Sequence, residues 1–265
     1  MTNHKYDNGE DPYLLAWAET SYLEQYYTTE QISSDEQAVS KYTIEILNRY
    51  FGNRKVSVCL EFGCGPTIHH ASLMVPYTEE LHLAEYLPKN LQAVQSWIDD
   101  SPNAHNWDIY LEGELDIENQ ILNKTENLVN RKGLLKRKIT QLYTADIHKV
   151  EPLDRDIKYP LVASYYCLEC ASDSVEQWER NMQNLSNLIQ PEGVLILSAL
   201  RNATSYRASQ NGHFPAVSIN EEDMLRVFKK LPFDLGSIDI SIAKDLEWGE
   251  EGFDSIILAS AKKNI

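Results

Sequence analysis

The chain has 265 residues, with 40 acidic against 24 basic side chains and a formal charge of −16. That length suits one large α/β domain or two small ones, and so acidic a body should repel nucleic acid and anionic membranes. No apolar stretch approaches a membrane span, the start MTNHKYDNGEDPY has no apolar signal core, and four cysteines in a chain this long do not suggest a disulfide framework, so a reducing cytoplasm is the expected setting.

The stretch from Tyr13 to Thr29 is rich in aromatics: Tyr13, Trp17, Tyr22, Tyr26 and Tyr27. Helical spacing puts Tyr22 and Tyr26 on one face. They read either as a helix packed on the body or as a lid over a ligand. Ser33-Ser34-Asp35-Glu36 looks like a helix start, and Val39, Tyr42, Ile46 and Leu47 continue it as an apolar stripe until Gly52-Asn53. Residues 1–50 are therefore assigned as an N-terminal helical lid on a single domain spanning 1–265.

Val56 to Thr67, VSVCLEFGCGPT, is the centre of the reading. Val56, Val58 and Leu60 suit a buried strand ending at Glu61. Gly63 and Gly65 allow a tight turn that a ligand can approach, and Pro66-Thr67 introduce a helix, IHHASLM. Two glycines alone are weak evidence for a nucleotide cradle. Glu80 to Tyr86 reads as a second strand, with Glu85 22 residues after Gly63. An acid at that distance can hold ribose hydroxyls. A helix over Pro88–Ile98 follows.

Residues 102–138 are long for one connection. They read as an insertion: a mixed stretch from Trp107 to Leu115, then a charged helix from Asn119 to Lys138. Its basic cluster, Arg131, Lys132, Lys136, Arg137 and Lys138, reads as a solvated helix face. Ile139–Asp146 is a third strand. At its end the Asp146 carboxylate could take an adenine amine while Ile147 covers the ring. Pro160–Leu168 is a fourth, with Tyr165, Tyr166 and Glu169 at its carboxyl end. Cys167 and Cys170 form a C-x-x-C with no second pair, so packed or pocket-lining thiols are expected.

A helix over Val175–Ile189 leads to a fifth strand, Val194–Ala199. Arg201–Ala216 reads as a loop, and Ser218-Ile219-Asn220 caps a helix reaching Lys230. Ser237–Ala243 and Ser255–Ala261 are late strands joined by an acidic loop holding Asp245, Glu247, Glu250 and Glu251. Strands alternating with helices make a three-layer α/β sandwich, whose ligand lies beyond the carboxyl ends of the strands. Glu61, Glu85, Asp146 and Glu169 all fall at such ends, and this is the strongest physical signal in the chain.

The motifs Tyr22-Leu23-Glu24 with Tyr26-Tyr27, Gly63-Cys64-Gly65-Pro66-Thr67-Ile68, Glu85-Tyr86 with Asn90, Asp146-Ile147, Cys167-Leu168-Glu169 and Pro191-Glu192-Gly193 span nearly the whole chain. Together they resemble the family of nicotinamide, phenylethanolamine and thioether methyltransferases. The resemblance implies a Rossmann-like class I methyltransferase sheet of seven mostly parallel strands, the last antiparallel. It implies S-adenosylmethionine as cofactor, released as S-adenosylhomocysteine. Tyr22 and Tyr27 would cap that cofactor, and Gly63, Gly65 and Thr67 would line its amino-acid end. Glu85, with Tyr86 and Asn90, would hold the ribose, Asp146 and Ile147 the adenine, and Tyr165 the floor. His69 stands where the family often has Tyr, and Glu61 where Asp is common.

For the acceptor, the resemblance implies Glu169 as the acid that holds and deprotonates it. Tyr26, Tyr166, Asn202, Tyr206 and Glu247 fall in pocket-lining regions. Ser198, acidic in the nicotinamide branch, argues against nicotinamide. The expected reaction is N-methylation of a small cationic amine or guanidine by a monomer, with no metal; bacterial relatives in small-alkaloid pathways, such as the guanitoxin one, resemble this pattern. Pyridine or thioether acceptors are the alternative within the enzyme class. An NAD-dependent oxidoreductase is disfavoured by Ile68 and Pro66 in the loop, and a non-catalytic cofactor-binding protein by the retained tyrosines.

Overall fold

The alternation of short apolar runs with amphipathic segments produces a seven-stranded sheet between two helical layers. The computed structural model describes residues 17–209, 212–243 and 252–265. Its strands are β1 (Val56–Phe62), β2 (Thr78–Glu85), β3 (Ile139–Thr144), β4 (Tyr159–Tyr165), β5 (Ile189–Arg201), β6 (Ser205–Ser209), β7 (Gly212–Pro215), β8 (Asp239–Ala243) and β9 (Ser255–Lys262). The large sheet has the order β3-β2-β1-β4-β5-β9-β8. β1 pairs in parallel with β2 and with β4, and β9 runs antiparallel to β5 and β8. The chain leaves β1 toward β2 on one side and returns on the other at β4. Connections that diverge this way leave a crevice beyond the strand ends.

The helices are α1 (Glu19–Tyr26), α2 (Ser34–Tyr50), α3 (His69–Met74), α4 (Pro88–Ile98), α5 (Asp108–Leu122), α6 (Leu128–Lys138), α7 (Val175–Asn187) and α8 (Glu221–Lys230). Period-two alternation along β1 divides two cores. Cys59 packs with α2 and α3, whereas Leu60 and Phe62 pack with α7 and α8. Glu61 therefore points to the α2–α3 side. Asn220 caps α8 in a capping box with Asp223. No described helix is long and apolar enough to cross a membrane.

Four expectations change. Within residues 1–50, α2 is a layer of the sandwich rather than a cover: Tyr42 Oη donates to Asp239 O at 3.2 Å and Ser260 Oγ at 3.1 Å. Residues 102–138 hold two helices, broken at Asn123 in the left-handed region (φ 50°). The buried side of α5 carries Tyr110, Leu111 and Leu115 together with Glu114 and Glu118. The basic cluster is not one solvated face, because Arg131 is fully buried and Lys138 nearly so. Arg131 Nη2 donates to Glu118 at 2.8 Å and Glu126 at 2.7 Å, and Nη1 to Ser72 O at 3.0 Å. Finally, the stretch expected as a loop from Arg201 to Ala216 contains the β6–β7 hairpin.

Candidate functional site

A cavity of about 1020 Å³ opens at the carboxyl ends of β1, β2 and β4. Pockets for one drug-sized ligand measure roughly 300–1,000 Å³, so this cavity stands at the upper end of that range and suits a large ligand.

The glycine turn forms one wall. Gly63 and Gly65 have φ of 74° and 60°, which L side chains rarely adopt. A Cβ on Gly63 would lie 2.2 Å from Cys167 Sγ, so the loop is packed from behind; Gly65 meets nothing within 4 Å and borders open space. Glu85 fixes this turn to β2. Its Oε2 accepts from Gly65 N at 3.0 Å, and its Oε1 from Leu87 N and Asn90 Nδ2, both at 3.0 Å. Burial raises the Glu85 carboxyl, and the hydrogen bonds from Leu87, Asn90 and Gly65 oppose that rise. The Thr67 hydroxyl donates to Cys64 O at 2.8 Å and shapes the turn. Farther round the rim, Asp146 accepts from His148 N at 3.0 Å.

The roof comes from residues around α1 and from the hairpin. Trp17 lies 4.8 Å from Tyr22, ring to ring, and edge-on to Phe214 at 6.1 Å. Its Nε1 donates to Asn90 Oδ1 at 2.8 Å, which ties the roof to the Glu85 network. Tyr22 sits 5.1 Å from Tyr26 and 5.8 Å from Tyr27.

The floor is built by α2, α3, β1 and β4. His70 Nε2 donates to Glu36 Oε2 at 2.8 Å, and His70 Nδ1 lies 4.0 Å from Glu61 Oε1. The Tyr165 ring stacks on His70 at 4.1 Å, and Tyr165 Oη is 3.3 Å from Thr43 Oγ1. Burial alone would raise Glu36, but the two histidines beside it win and hold it far below the usual carboxylate range. Burial would lower His70, and Glu36 and Glu61 overcome it and raise it.

Six carboxylates border the cavity: Asp35, Glu36, Glu61, Glu85, Asp146 and Asp173. No Lys or Arg does so among the described residues. Charge of one sign in a low-dielectric cleft focuses the field on a ligand of the other sign.

Most expected site residues meet here: Tyr22, Tyr26, Tyr27, Gly63, Gly65, Thr67, Glu85, Tyr86, Asn90, Asp146, Ile147, Tyr165, Tyr166 and Tyr206 all line the cavity. Three others do not. His69 is fully buried behind it, stacked on Trp107 at 5.1 Å, and burial with the neighbouring His70 lowers it to about 4. Glu169 turns away, because Tyr166 adopts φ of 51° and ends the strand; Glu169 Oε1 accepts from Leu200 N at 2.8 Å. Asn202 is exposed and donates to Asp254 at 2.7 Å. Glu247 and the rest of the acidic loop lie outside the described residues. The sequence reading missed Asp35, Glu36 and His70 as site residues. The available signal was the pair of adjacent histidines directly after the glycine turn.

The sequence matches the NNMT/PNMT/TEMT family over residues 7–264. Mouse indolethylamine N-methyltransferase is 26% identical over 201 residues, covering 74% of this chain and 74% of that protein. Human phenylethanolamine N-methyltransferase is 23% identical over 232 residues, covering 85% and 80%. Among solved structures, the CurJ carbon methyltransferase superposes with a TM-score of 0.59 at 12% identity, covering 97% of this chain and 62% of that one. A DhpI–SAM–HEP complex gives 0.53 at 12% identity, covering 92% and 91%. These two share the fold.

Proposed function

The chain belongs to the NNMT/PNMT/TEMT family of S-adenosylmethionine-dependent N-methyltransferases, and from that premise we propose that it methylates the nitrogen of a small cationic amine or guanidine. The observation that carries this reading is the cavity itself, with six lining carboxylates, a tyrosine-rich roof and no Lys or Arg among its described lining residues. Aromatic faces and carboxylates both attract a cation.

The residues present fit the cofactor. Gly65 leaves open space beside the turn, and Glu85 is anchored on three donors with its carboxylate at the cavity wall. In this reading Gly63, Gly65 and Thr67 border the amino-acid end, Glu85 holds the ribose, Asp146 and Ile147 meet the adenine, and Tyr22 and Tyr27 cover it. When bound, the cofactor supplies a methyl group already activated by a positive sulfur. The protein's part is then to exclude water, align the acceptor in line and leave its nitrogen neutral. The roof around Trp17 and Phe214 serves the first task. Tyr165 forms the floor of the cofactor site, and Tyr26, Tyr166 and Tyr206 surround the place for the acceptor. Glu169 acts behind the wall by holding Leu200.

Calorimetric titration with S-adenosylhomocysteine, with NAD as control, tests the cofactor. A mass-shift screen of tryptamine, phenylethanolamine, 1-methylguanidine, nicotinamide and dimethyl sulfide tests the acceptor. Addition of 14 Da (one methylene, roughly, by general chemistry) to an amine or guanidine alone is expected. Binding of NAD alone, or turnover of nicotinamide or the thioether alone, rules the reading out.

A further inference from the structure

Glu169 accepts from Leu200 behind the wall, and the side chain three residues before it is left without a bond of its own. Tyr166 lines the cavity, and its Oη is buried with no hydrogen-bond partner among the described residues. Resting on the N-methylation reading above, we propose that Tyr166 determines which nitrogens are methylated: its hydroxyl accepts an N–H of the attacking nitrogen, so each transfer needs a neutral nitrogen that still carries hydrogen, and methylation stops when none is left.

The backbone sets this hydroxyl in place. Side chains alternate along a strand, so Tyr165 and Tyr166 should face opposite sides of β4. Tyr166 instead has φ of 51°, where a bulky side chain is uncommon, and its N–H is tied to Ser198 O at 3.0 Å. With that torsion both tyrosines line one cavity, the Tyr165 ring 4.1 Å and the Tyr166 ring 6.3 Å from His70. Backbone strain of this kind gathers at ligand sites. A buried hydroxyl without a partner is a second cost in the unliganded protein, and a bound N–H would remove it.

A phenol suits the task better than a carboxylate. A carboxylate against the nitrogen favours the ammonium form, which has no electron pair to attack with. The charged and titratable groups facing the Tyr166 hydroxyl are Asp35 and Glu36 from α2, Glu169 beyond the end of β4, and Tyr22 from α1. Burial pushes the phenol well above its usual range, and the two carboxylates of α2 add to the rise, so it stays protonated and neutral. Its oxygen then accepts an N–H while the nitrogen keeps its electron pair for the methyl carbon. A nitrogen without hydrogen offers this oxygen nothing. Its electron pair is then the natural partner of the phenol O–H, which masks the atom that must attack.

In the step, the cation drawn in by the acidic cavity first gives one proton to water. The neutral nitrogen, with its N–H on Tyr166, bonds to the methyl carbon as the carbon–sulfur pair returns to sulfur. The product leaves as the methylated cation, and a second transfer begins with loss of another proton to water.

The test uses a series that runs from the fastest amine or guanidine of the screen, through its successive N-methyl homologues, to the one with no N–H. Wild type and Tyr166→Phe are compared by kcat/KM, by the final number of methyl groups on the product, and by calorimetric affinity for S-adenosylhomocysteine. Wild type should turn over every member with an N–H and the last one at least about 100-fold more slowly, as a site built to hold an N–H rejects an analogue without it. Tyr166→Phe should lose about tenfold or more on the members with an N–H and stay within about threefold on the last, so the preference collapses. Its S-adenosylhomocysteine affinity should stay within about threefold of wild type, because the lost hydroxyl faces the acceptor. An unchanged preference in Tyr166→Phe overturns the assignment, and so does an equal loss across the whole series or a tenfold loss of S-adenosylhomocysteine affinity. Wild type alone decides it as well, whatever the folding of the variant: ready turnover of the member with no N–H overturns the proposal. No turnover of any amine or guanidine by wild type sinks the proposed function, whereas turnover without a preference for N–H sinks the role of Tyr166 alone.

Discussion

Two buried charge clusters flank α3, and they differ in what sits at their centre. Away from the cavity, Arg131 is gripped by Glu118, Glu126 and Ser72 of the same α3 that carries His70. At the cavity floor the central titratable group is His70, between Glu36 and Glu61. Arginine cannot give up its charge near neutral pH, whereas imidazole can. The first cluster is therefore fixed in charge and closed by α5 and α6. The second is adjustable in charge and borders the cavity. Buried charge by itself does not mark a reaction site; a titratable centre beside a cavity is the better sign.

The largest effect should come from breaking the closed cluster. Arg131→Met leaves Glu118 and Glu126 without their cation, and removing one member of a buried pair costs about 3–5 kcal/mol. Urea unfolding should show that loss, with S-adenosylhomocysteine affinity of the folded protein within threefold. A loss below about 1 kcal/mol would make this cluster an ordinary surface pair.

The open cluster should respond in the opposite direction. Glu61 settles at about 7, against 4.5 for an ordinary glutamate, chiefly through burial. The folded state therefore binds this proton more tightly than the unfolded one. Its contribution turns unfavourable as pH rises from about 4.5 toward 7 and stays so above. Glu61→Gln removes that penalty. Unfolding at pH 8 should show a gain of up to about 3 kcal/mol, at 1.36 kcal/mol per unit, and at pH 4 little change. A variant that is less stable at pH 8 would mean that Glu61 has a cation partner in the folded state strong enough to outweigh burial. Stability lost to hold a buried carboxylate at a cavity wall is a common trade at functional sites.

The two glycines of the turn separate packing from ligand approach. Gly63→Ala drives a methyl into Cys167 Sγ and should cost about 2–3 kcal/mol, from overpacking and the left-handed backbone. Gly65→Ala meets no atom and should cost about 1–2 kcal/mol from backbone alone, but weaken S-adenosylhomocysteine at least tenfold. Thermal unfolding with and without S-adenosylhomocysteine separates them. If both variants lose stability equally and bind alike, Gly65 does not border the cofactor.

These contrasts also explain what the sequence could reveal. The strands were legible because buried β runs are short and bounded by turns, and Glu85 was legible because it closes one of them after a Gly-x-Gly turn. Local pattern cannot say which of two adjacent histidines faces a cavity. That depends on the rotation of α3, set by packing on α2 and α5. The charges of 102–138 misled for a related reason: Arg131 is buried by acids five and thirteen residues away, a pairing that helix periodicity does not report. Glu169 and Asn202 were displaced by single backbone choices, left-handed φ at Tyr166 and at Asn202 itself. Motifs place a residue near a strand end, and one such torsion decides where its side chain goes.

The smallest effect should be at the roof, and it tests whether the roof belongs to the site or merely rests on it. Trp17→Phe keeps the ring that packs between Tyr22 and Phe214 but removes the Nε1 donor to Asn90. Asn90 holds Glu85, which holds Gly65, so Trp17 lies three contacts from the glycine turn. One neutral hydrogen bond contributes about 1 kcal/mol. If it ties the roof down over the ligand, the loss should appear as roughly fivefold weaker S-adenosylhomocysteine, by the relation of 1.4 kcal/mol to tenfold, with the unliganded melting point shifted little. If the loss appears instead in the unliganded melting point with affinity unchanged, the roof is part of the scaffold and closes over nothing.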